Sequence, residues 1–434
     1  MNEPRGGAEA SAEAAVSLDA EKLVGGGRAI AHHDGATWMV AGALPGERIR
    51  AEVTKRRAGI IEARTVAVLS RTHSARLAEP CPQAGVCGGC DWPHVDPALG
   101  AELKAAAAAE AARAFPGLAA RIASAPIHRS EGGYRLRARL HWDAGQQRLG
   151  FYEHRSRKVA SIESCRILSP RCMQTLPVLA AVLSNRCPER VDLEWIEGTD
   201  PDDTVAALRP AKGGPKTIDA NWVPGPDDMD SVVSGFHALS NAGRLHPGWG
   251  ATEVRINLPI PLDVPIGSFF QGNRHLIGPL FSRVSELIGS DPQPVFDLHA
   301  GVGYLAAAAR FAGERELTLV EPNRDAALAA RRNLPRSRVV VGSTAEAFIA
   351  DPESLEADAI VVTDPPRTGL SKVLRNGLAN WLPQRILMLG CDPATWARDA
   401  GFLGDHGYQP RVVELFDLFP STHHVEILAL LERA

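Results

Sequence analysis

Apolar residues recur in two rhythms along these 434 residues, and the change of rhythm predicts the architecture. From residue 21 to 70 the apolar stretches are short (37–40, 48–54 and 60–68) and are broken by Gly-rich and Pro-Gly turns. That pattern predicts a small β-barrel of the OB type, a shape that often carries nucleic acid. Residues 102–114 are Ala-rich and predict a helix. Residues 134–142, YRLRARLHW, alternate with a period of two, which sets Arg135, Arg137 and Arg139 on one strand face. Residues 200–235, rich in Pro, Gly and Asp, read as loop. From about residue 250 buried-type strands (295–299, 317–321, 338–341, 359–363, 385–389 and 425–430) alternate with helical stretches. The alternation predicts an α/β fold, a doubly wound Rossmann-like domain with a mostly parallel sheet. The expected division is a disordered tail over 1–17, a barrel over 18–72, a central α+β unit over 73–248 and the doubly wound domain over 249–434.

Composition narrows the class. Apolar residues make up 45% and charged residues 23%, as in an ordinary globular protein. No apolar run reaches the roughly 18–20 residues that span a bilayer. Glu3, Glu9, Glu13 and Asp19 interrupt any apolar core of a signal peptide, so a cytoplasmic location with no membrane partner is expected. Net charge is −4, yet residues 121–166 carry ten Lys or Arg against four Asp or Glu. The stretch 48–76 is also basic, with Lys55, Arg56 and Arg57 adjacent. Local basic patches on a mildly acidic chain suit a polyanion that is held and released, and RNA is the expected partner; nothing implies an obligate protein partner. Three like charges on the 134–142 face would repel one another unless a polyanion or solvent lies there, so that face reads as phosphate-contacting.

Candidate chemistry sits at strand ends. VFDLHAGVGYLAAAAR reads as strand, Gly turn and helix, with Gly301 and Gly303 allowing a ligand close to the backbone. Glu321 ends the next strand, twenty residues on, where an acid can accept hydrogen bonds from ribose hydroxyls. The turn lacks the third glycine of a dinucleotide site and the Lys-Ser/Thr of a phosphate loop. A nucleoside without pyrophosphate fits, and S-adenosylmethionine is one. Asp364-Pro365-Pro366-Arg367 follows the fourth strand, its prolines stiffening the loop. Cys391 ends the next strand, and Glu426 is an acid inside the otherwise apolar HHVEILALLER. A thiolate can activate a pyrimidine by adding to C6, and a carboxylate can then remove the C5 proton.

Seven cysteines and no secretory signal argue against a disulfide framework. Cys81, Cys87 and Cys90 form C-x5-C-x2-C, and Cys165 follows. Four thiolates suit a [4Fe–4S] cluster or tetrahedral zinc. Cys172 and Cys187 read as ordinary thiols.

Together these residues resemble the RNA uracil-C5 methyltransferases, in particular the bacterial 23S ribosomal RNA type with an iron–sulfur cluster. The resemblance covers nearly the whole chain beyond residue 18. It implies a TRAM barrel around Gly42-Ala43-Leu44-Pro45-Gly46-Glu47, a class I methyltransferase domain, and a [4Fe–4S] cluster at Cys81, Cys87, Cys90 and Cys165. Ser268-Phe269-Phe270-Gln271-Gly272-Asn273 matches the segment whose Gln contacts S-adenosylmethionine, which carries Gln271 over. Glu321 and Asp364 match acidic cofactor-site positions, Cys391 the nucleophile and Glu426 the proton acceptor. His299 and Tyr304 stand at cofactor-contacting positions of a Gly turn that usually reads aromatic-Cys-Gly-x-Gly-Asn, and Asp392 stands where Asn is usual. The expected function is S-adenosylmethionine-dependent methylation of uracil C5 in RNA, ribosomal before transfer RNA. A cytosine-C5 enzyme of RNA typically has two catalytic-region cysteines, whereas 250–434 holds Cys391 alone. A lapsed RNA-binding protein is the other alternative, and it would not bind the cofactor.

Overall fold

The computed structural model describes residues 15–229, 232–351 and 355–434. The tail expected over 1–17 lies outside them up to residue 14, and a strand already begins at Val16.

The N-terminal strands form one six-stranded sheet in the order Val16–Asp19, Arg48–Arg57, Ile60–Ser70, Ala36–Ala41, Arg28–His33, Lys22–Val24. Alternation builds it: Ala29, Ala31, Val40, Ile49 and Ala51 point inward onto Leu18, Leu44 and Trp38. The ladder leaves Val16–Asp19 and Lys22–Val24 as edges, so the expected closed barrel is corrected to an open mixed sheet. These edges are four and three residues long, too short to zip together. The Gly42–Glu47 turn ends in a wholly buried Glu47, which accepts from Leu44 N at 2.9 Å and from Arg76 Nε and Nη2, both at 2.6 Å. Burial pushes this carboxyl up, but the Arg76 and amide bonds outweigh it and leave it below its usual value.

A second six-stranded sheet runs Leu245–Gly250, Gly235–Leu239, Thr204–Pro210, Val191–Glu197, Arg137–Asp143, Arg148–Gly150. Thr204–Pro210 corrects the loop expected over 200–235, since TVAALRP buries nearly every side chain between two neighbours. Helix Pro170–Arg186 covers this sheet, capped by Ser169, whose hydroxyl accepts from Cys172 N at 2.9 Å.

The largest sheet has eight strands: Arg338–Val341, Leu317–Glu321, Val295–Asp297, Ile360–Thr363, Arg385–Gly390, Glu426–Arg433, Tyr408–Phe416, Ile127–His128. The first five are mutually parallel, as the continuous apolar runs predict, and the Glu426–Arg433/Tyr408–Phe416 hairpin closes one side antiparallel. Strand order reverses between Val295–Asp297 and Ile360–Thr363, which opens the crevice expected of this topology. Helices Ile277–Ile288, Tyr304–Ala312 and Arg324–Asn333 cover one face. Lys372–Trp381 and Pro393–Asp405 cover the other, together with Pro97–Ala111 and Pro116–Ala123. The helix expected over 102–114 therefore starts earlier, at a Pro97 capped by Asp96, and with Ile127–His128 it lies on this sheet. Among the described residues no helix is long and apolar enough to cross a membrane.

Candidate active site and cysteine centre

The carboxyl ends of the parallel strands gather the expected cofactor residues. Gly301 and Gly303 both take positive φ, 54° and 93°, and a Cβ on Gly303 would stand 3.1 Å from Leu334 Cδ1. Glu321 locks this turn, its Oε2 accepting from Gly301 N at 2.8 Å and its Oε1 from Asn323 N at 2.7 Å. Gln271 is buried and donates through Nε2 to Asp364 Oδ2 at 3.0 Å, tying the 268–273 segment to the Pro-Pro loop. Burial pushes Asp364 up to about 6.

Two expected contacts are already spent elsewhere. The Tyr304 hydroxyl donates to Ile277 O at 2.5 Å, and the ring meets Phe270 edge-on in the core. His299 shares a hydrogen bond between Nδ1 and Thr363 Oγ1 at 2.8 Å, and burial drops its pKa to about 4, so it is neutral near pH 7. The structure adds Asp297, which sequence reading passed over. It is 1% exposed, Oδ1 accepts from His299 N at 3.3 Å, and Oδ2 has no partner. Burial, with the nearby charges of Asp364 and Glu321, pushes it up to about 7. The available signal was an acid inside the buried strand just before the Gly turn.

Cys391 and Glu426 come together through strand register. Gly390 pairs with Ile427 across the Arg385–Gly390/Glu426–Arg433 ladder, so one further step sets Cys391 opposite Glu426. Glu426 is 5% exposed with Oε2 unpartnered, and burial raises it well above a usual carboxyl, reinforced by Asp364 and opposed by Arg367. Burial, then the charges of Glu426 and Asp364, pushes the half-buried Cys391 thiol up to about 12; Arg367 opposes this too. The two groups thus share one electrostatic environment beneath the Asp364–Arg367 loop. A small hollow adjoins the thiol, lined by Pro365, Pro366, Thr395 and Trp396. Asp392 caps the following helix by accepting from Ala394 N and Thr395 N at 3.1 and 2.9 Å, a task Asp and Asn perform alike.

Cys81, Cys87, Cys90 and Cys165 line one hollow, with Phe151 and Ile167 on its wall. Burial pushes Cys90 up to about 12 and raises Cys87 and Cys165 as well. Arg135 lies close by, its guanidinium 5.7 Å from the Phe151 ring centroid, its buried Nε without a partner and its charge acting on Cys87, Cys90 and Cys165. The face expected to hold three arginines is thereby corrected, because the strand begins only at Arg137 and Arg135 turns to the thiols. Arg139 and Arg209 hydrogen-bond the buried Glu194 at 2.8 and 2.7 Å, with Arg137 at 3.9 Å. Cys172 and Cys187 are buried in the core of the second sheet.

The family model described as tRNA (Uracil-5-)-methyltransferase matches residues 351–434. A 23S rRNA (uracil(1939)-C(5))-methyltransferase of Alkalilimnicola ehrlichii is 34% identical, covering 94% of this chain and 94% of the relative. One of Pseudomonas aeruginosa, named likewise, is 30% identical over 96% of this chain and 93% of the relative. The crystal structure of Pyrococcus abyssi tRNA (uracil-54, C5)-methyltransferase with S-adenosyl-L-homocysteine shares the fold, with a TM-score of 0.72 and 21% identity over 95% of this chain and all of that one. The chain belongs to the RNA uracil-C5 methyltransferase family.

Proposed function

We propose that this protein methylates C5 of a uracil in RNA from S-adenosylmethionine, with Cys391 as nucleophile and Glu426 as proton acceptor. The observation that carries the reading is that the Arg385–Gly390/Glu426–Arg433 ladder ends at the Gly390–Ile427 pair, beside Cys391 and Glu426, and that the Glu426 charge acts on the Cys391 thiol. Bound cofactor supplies an electrophilic methyl on a sulfonium. Cys391 adds its thiolate to C6, which leaves C5 electron-rich and able to take the methyl. Glu426 then removes the C5 proton as the C6–S bond breaks and the thiolate returns. A buried carboxylate, once ionised, is a stronger base than an exposed one, which suits this step. Reaching C6 requires the uridine to leave its stack. The relatives named for 23S ribosomal RNA favour that RNA class as substrate.

Gln271, Glu321 and Asp364 form the cofactor site, joined by Asp297. His299 and Tyr304 shape its walls, since their side chains hydrogen-bond to Thr363 and to the Ile277 carbonyl. On this reading 18–72 is a TRAM-type RNA-binding sheet, 73–248 the cysteine-centre unit and 249–434 the methyltransferase domain, with the 97–128 helices and strand of the middle unit packed on the methyltransferase sheet.

The four cysteines fit a [4Fe–4S] cluster. A tetrahedral zinc would draw its thiolates to within about 3.8 Å of one another. Among the described residues, the one set of three or more Cys, His, Asp or Glu ligand atoms within 4.8 Å is Asp91, His423 and His424, so the thiols stand further apart than that around the hollow they line. The unpartnered Arg135 Nε suits an anionic centre. Cys81, Cys87, Cys90 and Cys165 would hold the cluster.

The test is transfer of labelled methyl to RNA. Cys391→Ala should abolish it, and Glu426→Gln should accumulate a covalent protein–RNA adduct on a denaturing gel. Sustained turnover by the Cys391 variant would sink the mechanism.

A further inference from the structure

The connection 417–425, between the Tyr408–Phe416 strand and Glu426, is pinned from several sides. Lys104, 1% exposed on helix Pro97–Ala111, donates through Nζ to Asp417 Oδ1 at 2.5 Å and Phe419 O at 2.9 Å. The Tyr134 hydroxyl donates to Pro420 O at 3.2 Å. The cysteine loop supplies two more ties. Trp92 N donates to Ser421 O at 2.9 Å, and Asp91, the residue after Cys90, pairs with His423 Nδ1 through Oδ2 at 2.7 Å. Arg367 Nη2 donates to His424 Nε2 at 3.1 Å. Gly27 seals the junction from the N-terminal sheet: with φ of 67°, a Cβ there would stand 2.6 Å from both His423 Cβ and Trp92 Nε1.

Glu426 itself has Oε2 unpartnered, so its aim depends on how the backbone enters its strand. That entry is set by residues tied to the loop that carries three of the four cavity cysteines. We infer that Asp91 and His423 are positioning residues: their pair relays the geometry of the cysteine loop to Glu426 and sets the rate at which the covalent RNA adduct resolves. The inference rests on the proposed function. Asp91, His423 and His424 are close enough to suggest a cation site instead. The guanidinium on His424 and the existing His423–Asp91 bond favour a hydrogen-bonded latch.

The pair acts on one step only. Cys391 lies on another strand and forms the C6–S bond without it. Release needs the C5 proton to reach Glu426 while that bond breaks. A displaced base therefore slows release and spares attack; a misplacement on the order of 1 Å costs up to about 100-fold.

The experiment uses full-length protein with its iron content measured, under single turnover. Adduct is followed on denaturing gels and methylated product by label. For His423→Ala and Asp91→Ala we expect adduct to form within about twofold of the wild-type rate and to resolve at least about tenfold more slowly, with S-adenosylmethionine affinity unchanged. His423→Gln and Asp91→Asn, which keep a hydrogen-bonding pair, should restore most of the resolution rate. Wild-type resolution in both alanine variants, or equal slowing of formation and resolution, overturns the latch. If Asp91→Ala loses iron, His423→Ala, remote in sequence from the cysteines, decides. Should Glu426→Gln trap adduct while the alanine variants resolve normally, the latch alone fails. Should Cys391→Ala still methylate, the underlying function fails.

Discussion

Asp297 shows how one buried side chain ties stability to ligand binding. Its folded carboxyl sits near 7, far above the roughly 3.9 of an unfolded chain, because burial penalises the charge. The folded state therefore holds the proton more tightly. Stability from this group is full below pH 4, falls as pH rises to about 7, and is flat above; the full span is on the order of 4 kcal/mol. Asp297→Asn should flatten the decline of the thermal midpoint between pH 4 and 7 when no cofactor is added, and parallel curves for both proteins would refute the assignment. A cationic cofactor favours ionised Asp297 and Asp364, so its affinity in the wild type should rise over the same range by calorimetry. A few residues away, Phe269 is 67% exposed beside buried Phe270 and Gln271. An aromatic ring left in solvent next to the site offers a base a stacking face. Stacking contributes roughly 1–3 kcal/mol per base, so Phe269→Ala should weaken RNA binding about 5- to 150-fold and leave cofactor affinity unchanged. Equal RNA affinity would remove that role.

Elements differ in how openly the chain declares them. The parallel strands were legible because their residues are mostly apolar and mostly buried, as in Leu317–Glu321, whose bounds, like those of the edge strand Arg338–Val341, match expectation. Tyr408–Phe416 escaped notice because YQPRVVELF carries Pro410, Arg411 and Glu414. The ladder accommodates that proline with a bulge between Pro410 and Val412. Thr204–Pro210 was hidden by Pro, Gly and Asp on either side. Arg135 was misplaced by extending a two-residue period past the true strand start at Arg137. The candidate site residues Cys391, Glu426, Glu321 and Asp364 stood out as unusual chemistry at apolar strand ends, whereas Gln271, in a loop, was visible only through the family resemblance. What remained invisible was which partners Tyr304 and His299 would choose, because those hydrogen bonds cross from other elements. At this scale Arg135 yields a test. A half-buried cation whose buried Nε has no partner, acting on Cys87, Cys90 and Cys165, should offset the charge of the centre the thiols would hold. Arg135→Met should therefore lower iron bound per chain by more than about half after anaerobic reconstitution, because an anionic centre left without its cation is costly to keep out of water. Full iron loading of that variant would contradict the cluster fit.

At the scale of the molecule, the three sheets are joined by charge as well as by packing. Glu62 of the N-terminal sheet lies 3.5 Å from Arg28, 3.2 Å from Arg57 and 3.4 Å from Arg155 in the loop beside the cysteine centre. The N-terminal sheet and the second sheet therefore present their cations as one connected body. Three of these cations differ in how far they are engaged. Arg139 shares Glu194 with Arg209, yet its side chain stays 49% exposed. Arg50 and Lys55 stand exposed on the Arg48–Arg57 strand. Arg209 and Arg137 also face Glu194, so Arg139 can turn to a phosphate without leaving that buried carboxylate unpaired. Net charge of −4 means the rest of the molecule repels RNA, so binding must be carried by such local cations and must fall with salt. Each phosphate neutralised contributes about 0.7–0.9 to the slope of log affinity against log salt. Replacing Arg50, Lys55 and Arg139 together by Ala should reduce that slope by about 2–3 between 50 and 200 mM salt, with cofactor affinity unchanged. Replacing Arg139 alone should reduce it by about 1. If the triple variant keeps the wild-type slope, RNA does not track these two sheets, and its path must run over the catalytic domain instead.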